Sequence, residues 1–215
     1  KKHKSIHRSS KRGFFIAELI VAIFIFGIVM TVSIGALVTA LDSNKKTQSL
    51  KSVLNNLNVV LDTMSKTLTV GTNYYCGDAP SFPLTSPQDC PDGSNEDNGN
   101  SLHFSFNEDL GNNGEADDAI TYMFVPGALG ASGYIARTIH NDIGVIGPIR
   151  MTAPEVNITD MEFFVTGTEP TSSNNPNFEQ PKVLIVVKGL SPSGPRAVPT
   201  EFMVQTLVSQ RVPDF

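Results

Sequence analysis

Between Phe14 and Leu41 the chain runs FFIAELIVAIFIFGIVMTVSIGALVTAL, an apolar stretch broken by a single carboxylate, Glu18. A helix rises about 1.5 Å per residue, so the stretch is more than enough to cross a hydrocarbon core of about 30 Å. An ionised carboxylate within it would cost on the order of 2.5–3.5 kcal/mol by insertion scales unless it is protonated or finds a partner. Lys1, Lys2, Lys4, Arg8, Lys11 and Arg12 crowd the residues before the run, and only Lys45 and Lys46 follow it closely. This asymmetry favours a cytoplasmic leader with the bulk of the chain outside. Cutting between Gly13 and Phe14 would create a cationic α-amino group at about the membrane depth of Glu18. The carboxylate of one copy and the amine of its neighbour then neutralise each other, a pairing closed to the uncut chain.

The segment KRGFFIAELIVAI resembles the class III signal of type IV prepilins and type II secretion pseudopilins. The matching features are the short basic leader, Gly13 before the cut, Phe14 as first mature residue, Glu18 four residues later and the apolar run beyond. The resemblance implies a prepilin peptidase that cuts after Gly13 and N-methylates Phe14. It also implies that Glu18 acts in assembly with other pilin or pseudopilin subunits. Phe15 stands where Thr or Ser is common in that family, and Ala17 where a larger aliphatic is usual. Two other accounts of the run are an ordinary signal peptide cut after Ala40 and an uncut signal anchor. The first meets an apolar region longer than the usual 7–15 residues, and neither accounts for Glu18. The first residue is not Met, so residues preceding Lys1 are expected.

After Asp42 the chain turns polar but keeps helical spacing, with Leu50, Val53, Leu54, Leu57, Leu61, Met64 and Leu68 recurring at three- and four-residue steps. One helix from Phe14 to about Val70, roughly 85 Å long, is expected. Gly27 and Gly35 fall in its apolar half. They suit either close helix packing or, as in the pilins this chain resembles, a local loss of helix on assembly.

Gly71-Thr72-Asn73 ends the helix, and residues 74–100, rich in Pro and Gly, are expected to form a loop. Loops beyond about 12–15 residues are uncommon unless functional or disordered. Cys76 and Cys90 are the only two cysteines, with no histidine cluster beside them, so a structural disulfide in an oxidising compartment is the expectation, ahead of zinc binding or redox activity. From Ser101 onward short alternating or apolar runs predict strands at Leu102–Phe106, Ile120–Val125, Tyr134–Ile139, Met161–Val165, Val183–Lys188 and Phe202–Val208. The expected class is α+β, a long N-terminal helix packed through its amphipathic half on an antiparallel β-sheet head. The organisation is a leader at 1–13, a transmembrane or filament-core helix at 14–41, its amphipathic continuation at 42–70 and an extracytoplasmic β-rich head at 71–215. The stretch leading into Ile120-Thr121-Tyr122, the segment VNITDMEF from Val156 and the ending QTLVSQR from Gln205 resemble the larger minor pilins of the PilW and J-type pseudopilin group.

The acidic stretch 107–118 has two explanations. Asp109, Asn113, Asp117 and Asp118 offer oxygen ligands to Ca²⁺, but Gly111 and Ile120 sit where an EF-hand would need ligands. A solvated hairpin tip turning at Asn113-Gly114 needs no metal. The tripeptide Asn157-Ile158-Thr159 matches a glycosylation sequon and carries little weight alone. A net charge of −5, with the cations gathered in the leader, argues against a nucleic-acid-binding head. The four histidines are scattered, and no phosphate loop, nucleophile elbow or carboxylate pair appears, so neither an enzymatic activity nor a cofactor is expected. The expected function is that of a minor pilin or pseudopilin, held in the inner membrane until assembly into a pilus or pseudopilus. An adhesin or DNA-uptake module on the same helix is the alternative, with a signal-anchored extracytoplasmic domain behind it.

Overall fold

Helical periodicity continues without interruption through the change from apolar to polar composition, and the chain follows it. A computed structural model describes residues 16–77, 81–82, 84, 86–92, 101–106, 118–128, 131–141, 144–168, 180–191 and 199–211. One helix, α1, spans Ile16–Val70. It belongs to two units, Lys1–Lys45 and Lys46–Phe215.

In the first unit every described side chain is exposed, including Ile23, Phe24, Ile25 and Phe26. The helix is long and apolar enough to cross a membrane. Three hydroxyls of the apolar run do not oppose this, because they donate to their own helix: Thr31 to Gly27 O at 2.8 Å, Ser33 to Val29 O at 2.7 Å and Thr39 to Gly35 O at 3.0 Å. These three hydroxyls are thereby satisfied within the segment, as a lipid environment requires, and Glu18 is the polar side chain that stands apart from them.

In the second unit α1 buries Val53, Leu57, Val60, Leu61, Met64 and Leu68, one stripe at steps of three and four. Leu50 and Leu54 lie at its half-buried margin. The helix stops where the periodicity does. Gly71 N donates to Leu68 O at 3.2 Å, Tyr74 Oη donates to the same carbonyl, and Arg211 N donates to Thr69 O at 2.9 Å, so final carbonyls are satisfied from three directions. Glycine is needed at 71 because a Cβ there would lie 2.4 Å from the ring of Phe104, itself fully buried.

Among the described residues eight strands follow: β1 (Thr72–Cys76), β2 (Ser101–Ser105), β3 (Ala119–Val125), β4 (Tyr134–Asn141), β5 (Gly144–Arg150), β6 (Asn157–Thr166), β7 (Lys182–Ser191) and β8 (Thr200–Ser209). All neighbouring strands pair antiparallel, β1 to β5 in one sheet and β6 to β8 in another. The class is α+β as expected, and the six expected strands are β2, β3, β4, β6, β7 and β8. One refinement and two corrections follow. Among the described residues the antiparallel sheet structure is divided between two sheets. The stretch 74–100 is not all loop, because Tyr74, Tyr75 and Cys76 complete β1. A further strand, β5, lies in a segment whose Gly144, Gly147 and Pro148 read as turn residues. Its side chains are exposed throughout, so it shows no buried-exposed alternation.

The core lies between α1 and the sheets: Leu57, Met64 and Leu68 of the helix cluster with Phe104 and Tyr122 of the first sheet and Met161, Phe163 and Ile185 of the second. Three polar contacts orient the helix over it. Ser49 Oγ is 3.1 Å from Ser191 Oγ, Asn56 Oδ1 accepts from Ala153 N at 3.0 Å, and Thr67 Oγ1 meets Tyr122 Oη at 2.6 Å. Thr67 donates to Met64 O at 2.9 Å, so Tyr122 is the donor to Thr67. Burial raises the Tyr122 pKa, with Thr67 and Arg137 opposing.

Candidate functional site

Glu18 stands in the first described turn of α1, exposed among Ile16, Leu19 and Ile20. Gly13 and Phe14, the expected cut site, lie outside the described residues. Gly27 and Gly35 are helical, and a Cβ at either would meet nothing within 4 Å, so neither is required for packing within the chain.

Cys76 and Cys90 are bonded, with their Cα atoms 5.9 Å apart. The residues leading to Cys90 make this bond a joint between sheets. Gln88 exchanges hydrogen bonds with β1, donating to Tyr74 O at 2.9 Å and accepting from Cys76 N at 3.2 Å. Asp89 accepts from Gly167 N and Thr168 N at 3.1 and 2.9 Å, closing the end of β6. Cys90 then pairs with Val165 of β6. A second bridge, Gly133 to Ile158, joins the residue before β4 to β6.

Two of the histidines that look scattered in sequence meet at one hydroxyl. His103 Nδ1 is 2.7 Å and His140 Nε2 2.9 Å from Thr121 Oγ1, and His103 Nε2 is 3.0 Å from Gly77 O. A carbonyl only accepts, so His103 donates from Nε2. A neutral ring bonded in this way accepts at Nδ1 from Thr121, leaving the Thr121 oxygen to accept from His140. Register explains the meeting: His103 lies opposite Thr121 across β2 and β3, and His140 lies opposite Ala119, two residues from Thr121 on the same face. Phe82 stacks on His140 at 4.0 Å and meets His103 edge-on at 6.0 Å, as Tyr75 does at 6.1 Å. Burial lowers the His140 pKa. Thr121 is fully buried.

Of the four calcium candidates, Asp109, Asn113 and Asp117 lie outside the described residues. Asp118 is fully buried immediately before β3, and its carbonyl accepts from Phe106 N at 2.7 Å, closing the β2–β3 pair. Among the described residues no group of three or more His, Cys, Asp or Glu is placed to hold a metal ion. Comparison of the chain with family models, with curated proteins and with solved structures gave no match.

Proposed function

We propose that this chain is a filament subunit of the type IV pilin-like class, a minor pilin or pseudopilin, held in the inner membrane before assembly. The observation that carries the reading is Glu18, one carboxylate in a helix whose other side chains nearby are apolar and exposed. A carboxylate at that depth is stable only with a cationic partner or a proton. The chain's own residues 19–41 offer it no cation. A neighbour's new N-terminal amine at Phe14 is the partner that cleavage after Gly13 would provide, and methylation by the prepilin peptidase keeps that amine basic.

Support also comes from the continuity of α1. The helix that would lie in membrane or filament core is the helix whose later turns pack on the head. The head is thereby carried wherever the helix assembles, with the disulfide-tied segment as a surface for other subunits. The test is co-expression with a prepilin peptidase followed by mass spectrometry of the N-terminus. The expected product begins at an N-methylated Phe14. A product beginning at Leu41, or an uncut chain, would refute the proposal.

A further inference from the structure

Sheet edges expose unpaired backbone groups that invite another strand, and folded proteins usually block or cover them. Among the described residues, three of the four sheet edges are managed. The β1 edge is covered by Gln88, and the β6 edge is bridged by Cys90 and Gly133. The β5 edge is interrupted by Gly147, at φ +131°, and by Pro148, which has no N–H to donate.

The fourth edge is different. β8, TEFMVQTLVS, contains no Pro, Gly, Lys or Arg, and its ten residues pair with β7 from Thr200 to Ser209 without a register shift. Among the described residues none supplies a backbone partner on its other side. On its outward face Met203 and Leu207 are 66% and 68% exposed. On the inward face Phe202, Val204 and Thr206 are only half-buried, so the strand is incompletely covered on both sides.

We propose that the β8 edge pairs antiparallel with β8 of a second copy of this chain, about a two-fold axis at Gln205, joining two three-stranded sheets into one of six. The occupant follows from the strand's own pattern. Residues opposite each other in an antiparallel pair share a face. Centring on Gln205 sets each outward Met203 against the other copy's Leu207, so the two most exposed apolar side chains cover each other. On the inward face Phe202 meets Val208, and Val204 meets Thr206. Glu201, the only charge in the strand, meets Ser209, and the two copies of Glu201 lie at opposite ends. Centring on Met203 instead would leave Leu207 beyond the paired strands and set Glu201 against Gln205. This pairing is independent of the filament reading, since it uses only the head.

Cross-linking of the full chain in detergent micelles tests it. The two Gln205 residues stand directly opposite, at about 4.5–5.5 Å between Cα atoms, within disulfide range. Two copies of Met203 are separated by four residues along the strand, roughly 14 Å. Gln205→Cys should therefore form an inter-chain disulfide under mild oxidation at least ten times faster than Met203→Cys or Leu207→Cys alone. A mixture of the last two variants should cross-link as Gln205→Cys does. All three positions are partly or fully open, and retention of the Cys76–Cys90 bond by mass confirms the fold. Equal rates at all positions, or a Gln205→Cys rate no higher than that of the exposed helical control Asp62→Cys, would overturn the proposal. A different protein captured at position 205 would also overturn it. Sedimentation gives a second reading without new cysteines: Leu207→Lys should weaken association at least tenfold, and unchanged association overturns the pairing.

Discussion

Cys90 and Val165 exchange both of their backbone hydrogen bonds, at 3.0 and 3.2 Å, while Cys90 is bonded through sulfur to Cys76 on β1. The covalent bond therefore runs from the five-stranded sheet to a residue hydrogen-bonded into the three-stranded one.

Removing that bond should loosen the joint between sheets as well as the loop. Cys76→Ala/Cys90→Ala is expected to cost about 2–5 kcal/mol of head stability, the usual range for a native disulfide. Hydrogen exchange should show the amides of Cys90 and Val165 losing protection before those in the β7–β8 ladder. Unchanged protection at Val165 would show that the bridge holds without the disulfide.

Tyr122→Phe removes the hydroxyl that donates to Thr67 from a fully buried ring. Thr67 keeps its own bond to Met64 O, so no donor is stranded. The expected loss is about 1 kcal/mol, read as a lower midpoint in chemical denaturation. Tyr122→Ala should cost about 3–5 kcal/mol, because it adds a cavity beneath the helix.

His140 titrates with a definite sign. Its folded pKa lies below the ordinary 6.5 through burial, so the unfolded chain binds the proton more readily. Stability is then fully present above the unfolded value and is lost as pH falls from about 6.5 toward the lowered folded value. Melting temperature should fall as pH drops below about 6.5, and His140→Gln should flatten that slope. Equal slopes in both proteins would remove His140 from the account.

Glu18→Ala tests charge pairing separately from cleavage. Membrane insertion should be retained, because a carboxylate is removed from an apolar run. Recovery of the subunit in sheared filaments or cross-linked assemblies should drop, since losing one side of a buried ion pair typically costs about 3–5 kcal/mol. Glu18→Gln should be milder only if hydrogen bonding rather than charge carries the contact. Full assembly of Glu18→Ala would sink the pairing while leaving the cut at Gly13 open.

What was legible in the sequence was local. The stripe from Val53 to Leu68 announces α1 by its three- and four-residue steps, and alternating runs such as Met161–Val165 and Val183–Lys188 announce strands, because burial on one face writes a period into the chain. The disulfide was legible because only two cysteines exist. β1 was hidden by its brevity and by Asn73, whose φ of 51° and adjacent register shift resemble a turn. β5 was hidden because an exposed strand places no periodic demand on its residues.

By itself, the sequence determined the long helix, the misplaced carboxylate within it and six of the strands, since each depends on neighbours a few residues away. Only the tertiary structure decided that the strands divide into two sheets, that Cys90 joins them, that His103 and His140 share the hydroxyl of Thr121, and that β8 is the edge left open among the described residues. Those facts depend on which distant segments pair, and pairing across dozens of residues is set by the packing of the whole head, which leaves no local period to read.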